Sequence, residues 1–212
     1  MNKKLGILFT VIIAFLALYL PFDNSNKIHI ACIGDSNTLG HGLFPKVFFS
    51  YPAKLQALLG NSYQVHNYGQ AGATVSGSDE NRYYRGAEFI KSTSHDHQYF
   101  IFMLGTNDSK VSAHDFFGEY QKLIEKYDFS SADKVIICSP PTAFSNEWGI
   151  NDSIISNSIR NEVVKLAQEK QYKLLDVNRM MKTANYFQND GIHLNNDGAN
   201  HLAHLLKEAL LD

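Results

Sequence analysis

Five short apolar runs, at residues 28–33, 63–67, 99–104, 134–138 and 172–177, recur along the chain with helical patterns between them, and this alternation restricts the fold more than any other feature. Most of these runs are apolar throughout instead of alternating with polar residues, as expected of strands buried on both faces. Strands separated by helices join in parallel, so the pattern predicts an α/β fold with a five-stranded parallel sheet covered on both sides. Helices are expected at 53–59, 114–127, 154–170 and 198–211, with a weaker pattern at 80–90. Ser50 is placed to cap the first of these, Pro52 suits its first turn and Gly60 its end. At 212 residues the chain fits one ordinary core, and no internal repeat or low-complexity tract interrupts it. Ligands of such sheets bind beyond the carboxyl ends of the strands, so any chemistry belongs just after strands.

Charged residues make up 19% of the chain and the net charge is -2, which leaves no broad field to recruit nucleic acid and favours a small or neutral substrate. Cys32 and Cys138 each lie in an apolar run and read as small buried hydrophobes, not a disulfide framework. Lys3 and Lys4 precede a charge-free stretch at 5–20, just short of a bilayer span. Residues 1–22 therefore read as an uncleaved membrane anchor, since no small-x-small site follows. A cleaved signal peptide, giving a secreted or periplasmic protein, is the alternative. Either way the catalytic body, 28–212 after a short link at 23–27, is expected outside the cytoplasm. An anchored form would work close to the membrane surface.

Gly34-Asp35-Ser36-Asn37-Thr38 follows the first strand and sets a serine hydroxyl at the mouth of the sheet; a capping serine in an ordinary turn fits the same residues. A serine becomes a nucleophile only with a base in reach that is itself oriented by a third group. Asp190-Gly191-Ile192-His193 can supply both, with His193 taking and returning the proton and Asp190 fixing its tautomer, although a surface histidine beside a loop carboxylate reads similarly. Acyl transfer also needs donors aimed at the developing oxyanion. The Ser36 N–H, the Gly69 N–H after the second strand and the Asn107 side chain in Gly105-Thr106-Asn107-Asp108 after the third are candidates; plain Asx and glycine turns are the other reading. Each segment alone is weak, yet all of them follow successive strands or adjoin the last helix.

This ordered set resembles the block pattern of the SGNH, or GDSL-type, hydrolases. The resemblance spans 27–212 and implies a flavodoxin-like three-layer α/β/α sandwich. It implies Ser36 as nucleophile, Gly69 and Asn107 as oxyanion donors, and Asp190 and His193 as the rest of the triad, with no cofactor. The Gly-x-Ser-x-Gly elbow of the α/β-hydrolases is absent, because Thr38 stands where its second glycine would be.

Gly105 to Lys110, Pro140-Pro141-Thr142-Ala143-Phe144 and Trp148 to Asp152 are similar to bacterial carbohydrate O-acetylesterases of that superfamily, including sialate-type enzymes. The expected reaction is removal of a short acyl group, acetyl foremost, from a glycan or small-molecule ester. Trp148 either stacks on a sugar or packs its loop onto the core. Arg82 and Arg85 either line the site rim and bind substrate or belong to a solvated face. His95, His97, His201 and His204 lack the company a metal would need, so no metal is expected. Alternatives are a glycan O-acetyltransferase using the same acyl-enzyme, a lipase or thioesterase of the superfamily, and a non-catalytic glycan-binding module.

Overall fold

The computed structural model describes residues 27–78, 80–110 and 115–212. In chain order the elements are β1 (Ile28–Gly34), α1 (Ser36–Leu39), α2 (Lys46–Phe49), α3 (Tyr51–Leu59), β2 (Tyr63–Gly69), α4 (Ala87–Thr93), β3 (Tyr99–Met103), α5 (Phe116–Ile124), β4 (Lys134–Cys138), α6 (Asp152–Ile154), α7 (Arg160–Lys170), β5 (Lys173–Leu175), α8 (Val177–Met180) and α9 (Asn196–Leu211). The expected anchor at 1–22 and nearly all of the link after it lie outside the described residues. Among the described residues no helix is long and apolar enough to cross a membrane.

All five strands are parallel, in the order β2-β1-β3-β4-β5. Side chains alternate across a strand, and β1 feeds two separate cores accordingly. Ile30 and Cys32 pack with Tyr51 and Leu55 of α3 and Leu202 and Leu206 of α9. Ala31 and Ile33 face the other way, onto Phe116 and Tyr120 of α5 and Val163 and Leu166 of α7. The sheet is thus the middle of three layers. Cys32 and Cys138 are buried free thiols, as their apolar surroundings in the sequence implied.

Three elements differ from expectation. The weak pattern at 80–90 resolves into a 3₁₀ turn at Tyr83–Arg85 followed by α4. The helix expected at 154–170 is continuous but carries one π turn, Ile155–Ile159, between α6 and α7. The last strand closes at Leu175, and Val177 instead opens α8. Ser50 does precede α3, but its side chain makes no capping bond.

Chain order places β2 on one side of β1 and β3 on the other, so the crossovers leaving β1 and β3 diverge and open a crevice at their carboxyl ends. Ser36 follows β1 and Asn107 follows β3, which puts both at that crevice.

Candidate active site

Ser36 is the first residue of α1. Asp35 caps this short helix by accepting the Asn37 N–H at 2.9 Å, and burial pushes the Asp35 carboxyl above its ordinary range despite that bond. The cap leaves Ser36 at a helix N-terminus, where backbone N–H groups lack helical partners. On the opposite wall, His193 Nε2 lies 3.0 Å from Ser36 Oγ, and His193 Nδ1 lies 2.6 Å from Asp190 Oδ2. Asp190 Oδ1 also accepts the Ile192 and His193 N–H groups, at 2.9 and 3.0 Å. Partial burial works to raise the Asp190 carboxyl, but the bonds from His193 and Ile192 outweigh it and hold it below the usual carboxylate range. The carboxylate therefore stays charged and presents an acceptor to Nδ1, which leaves Nε2 free to accept from Ser36.

Two side chains lock these segments together. Asn37 Oδ1, one residue past the serine, accepts the Leu194 N–H at 3.0 Å, one residue past the histidine. Gln188 donates its Nε2 hydrogens to the carbonyls of His41 and Leu194 and its N–H to the carbonyl of His193. The Ser36–His193 distance is thus held by amide contacts that involve neither reacting side chain.

The end of β3 is clipped to the loop after β2 in a similar way. Asn107 Nδ2 donates to the Ala73 carbonyl at 3.0 Å. Buried Asp108 accepts from the N–H groups of Val75 and Ser76 and from the Ser76 hydroxyl. Burial pushes the Asp108 carboxyl up, and these same bonds oppose the rise.

Ser36, His193, Asn107, Gly72, Ala71 and His41 line one small cavity of about 80 Å³, completed by Lys110, Trp148, Ile150 and Ile192. Sites for drug-sized ligands run from about 300 Å³ upward. This one takes only a group of a few heavy atoms. Trp148 is 52% exposed and presents its ring edge-on to His41 and His193, with centroids 6.3 and 6.0 Å away. It forms the rim, and the reading in which it packs its loop onto the core does not describe it. Asn146 shapes that loop by bonding Trp148 N, Ile150 N and the Ile150 carbonyl.

Two expectations need correction. Gly69 ends β2 with its N–H donated to Asn67 Oδ1 at 2.9 Å, and it is not among the cavity residues. Its small size serves packing, since a Cβ there would lie 2.0 Å from the Leu39 nitrogen of α1. Gly72, three residues on, is the glycine that reaches the cavity. Its φ of 75° is one that L side chains rarely adopt, and among the described residues none accepts its N–H. Arg82 and Arg85 are likewise not among the residues that line the cavity: Arg82 pairs with Glu119 at 2.5 Å in a separate groove, and Arg85 lies over Tyr84.

Sequence reasoning also missed His41, whose ring centroid is 4.3 Å from that of His193. Burial first, and the neighbouring His193 second, lower its pKa, so it stands beside the base as a neutral ring. Nothing in its spacing marks it. Gly72 had a signal in the second glycine of Gly69-Gln70-Ala71-Gly72. Among the described residues no group of three or more His, Cys, Asp or Glu side chains is placed to hold a metal. His97 donates to or accepts from the Tyr68 hydroxyl, and His201 stacks on Tyr186.

The geometry has parallels among known proteins. The sequence profile of the GDSL-like lipase/acylhydrolase family matches residues 32–200. An acetylxylan esterase from Xylanibacter ruminicola is 28% identical over 218 residues, covering 90% of this chain and 45% of the relative. The chain thus spans less than half the length of that protein. Among solved structures, a carbohydrate acetylesterase from Sinorhizobium meliloti superimposes with a TM-score of 0.73 at 22% identity, covering 87% of this chain and 99% of that one. The aryl esterase of M. smegmatis gives 0.73 at 20% identity, covering 87% and 98%. At these identities the structural likeness speaks for the fold alone.

Proposed function

From the premise that this chain belongs to the GDSL-like lipase/acylhydrolase family, and so to the carboxylic ester hydrolases, we propose that it removes acetyl groups from a carbohydrate through an acyl-enzyme at Ser36. The observation that carries this reading is the relay Asp190–His193–Ser36, with contacts of 2.6 and 3.0 Å, opening on a cavity of about 80 Å³.

Ser36 Oγ attacks the ester carbonyl while His193 Nε2 accepts the hydroxyl proton, and Asp190 stabilises the imidazolium. The carbonyl oxygen, now an anion, meets the N–H groups of Ser36 and Gly72 and the second amide hydrogen of Asn107, whose first is spent on Ala73. Collapse expels the sugar alkoxide, which takes the proton from His193. Water then enters, gives its proton to His193 and its hydroxyl to the acyl carbon, and acetate leaves as Ser36 recovers its hydrogen. The acyl group faces Ile150 and Ile192, and the sugar lies against Trp148 at the rim.

The name of the Xylanibacter relative makes acetylated xylan the first polysaccharide to test. A series of nitrophenyl esters tests the acyl pocket: turnover is expected to be highest with acetate and to collapse by octanoate. A preference for octanoate would transfer the reading to a lipase, and full activity in Ser36→Ala would end it. Counting free acetate against acetylated sugar separates hydrolysis from transfer. The lysine-led apolar stretch at 5–20 supports placing the enzyme outside the cytoplasm, at the membrane; the mass of the mature protein distinguishes a retained segment from a removed one.

A further inference from the structure

The segment after α1 exposes an apolar surface that the reaction does not use. Phe44 is 89% exposed, Val47 74% and Phe48 69%, and α2 buries none of its residues. Single exposed hydrophobes are ordinary, but three large ones within five residues form a patch that water disfavours and that marks a contact surface.

The charges around it specify the partner. Lys46 sits within the patch, and the Lys54 ammonium lies 5.5 Å from the Phe49 ring. Residues 36 to 78 contain no aspartate or glutamate, an asymmetry that the chain's near-neutral total conceals. Lys27, the first described residue, lines the same surface groove as Lys46 and Val47. The 26 residues ahead of it, with Lys3, Lys4 and the charge-free stretch at 5–20, therefore join the catalytic body at this face. Aromatic rings flanked by lysines suit the level of lipid headgroups, where the rings enter the acyl boundary and the ammonium groups reach phosphate.

We infer that Phe44, Val47 and Phe48, with Lys46, dock the catalytic body on an anionic bilayer surface. This contact is a second one, separate from whatever the leading segment makes, and stable attachment commonly takes two signals. His41 lines the cavity and stands three residues before Phe44, a reach of at most about 11 Å along the backbone. Docking would therefore hold the mouth of the cavity beside the membrane.

The full-length protein tests this through a fluorophore that brightens in apolar surroundings, attached in a Val47→Cys variant. Cys32 and Cys138 are fully buried and leave the new thiol as the reactive one. Ile90→Cys, on α4 and also exposed, is the control. On vesicles of three parts phosphatidylcholine to one part phosphatidylglycerol, the label at 47 should brighten severalfold and be quenched by spin-labelled lipid, while the label at 90 stays unchanged. Phosphatidylcholine alone should give less. A label at 47 that is unresponsive, that changes together with the one at 90, or that is already bright without vesicles would overturn the inference; the last result would mean that the leading segment or a second copy covers the patch. Adding Phe44→Ser and Phe48→Ser should raise the lipid needed for half the response about tenfold, the order expected for two interfacial rings. Turnover of nitrophenyl acetate should persist in that variant and serves as its folding control; an unchanged lipid response there would also refute the docking.

Discussion

Replacing Asp190 with asparagine should be more damaging than deleting its side chain, and the reason lies in how its two oxygens are shared. Oδ1 accepts two backbone N–H groups, from Ile192 and His193, while Oδ2 accepts from His193 Nδ1. An asparagine has one oxygen and one NH₂ for these two places. Turning the NH₂ toward the backbone would set it against two donors at about 3 Å, so the oxygen goes there and the NH₂ faces Nδ1. The imidazole then carries its hydrogen on Nε2, the atom 3.0 Å from Ser36 Oγ, and cannot take the serine proton. A wrong tautomer of this kind costs about 10⁴ in turnover in serine proteases, equivalent to about 5 kcal/mol of transition-state stabilisation. Asp190→Ala leaves the two N–H groups to water and does not enforce the wrong tautomer. Its loss should therefore be smaller by about tenfold or more. Steady-state kcat/KM on nitrophenyl acetate, with thermal unfolding to verify the fold, measures both variants. Equal losses in the two, or an asparagine variant within tenfold of the parent, would refute the division of labour between the oxygens.

Gly69→Ala should lower the melting temperature by several degrees because its Cβ meets the α1 backbone, whereas Gly72→Ala, strained by its φ of 75° but with open space for a Cβ, should lower it less and reduce turnover more; the opposite pattern in unfolding and kinetic assays would restore Gly69 as the site glycine. Asn107→Ala should cost on the order of 3 kcal/mol in kcat/KM if its amide holds the oxyanion, and a loss confined to stability would show that its bond to Ala73 is its whole role. Trp148→Ala should raise KM for acetylated polysaccharide about tenfold while affecting nitrophenyl acetate far less, and an equal loss on both would remove it from sugar binding. His97 is buried, and that burial, aided by His66, His29 and His95, lowers its pKa from 6.5 to about 4. Its contribution is complete above pH 6.5; as pH falls from there the unfolded chain takes up a proton that the folded one refuses until about pH 4, so stability declines across that window by on the order of 3 kcal/mol. Urea unfolding from pH 7 to pH 4 measures the decline, and His97→Phe should flatten it.

The sequence by itself determined the layered sheet and the order in which its chemistry arrives. Apolar runs of strand length must be buried, and the helices between them force parallel pairing, so Ser36 and Asn107 had to sit at one end of the sheet. Asp190 and His193 were legible because three residues in one turn suffice to join them. What touches what across the crevice was not legible. Gly69 and Gly72 look alike in a sequence; only the docking of α1 against the end of β2 decides which must be small and which reaches the cavity. Arg82 found Glu119, 37 residues away, instead of the active site, and His41 came to lie against His193 from 152 residues away. Local pattern fixes burial and secondary structure because those depend on near neighbours along the chain. Pairings over such separations depend on packing of whole layers, which only the assembled fold supplies.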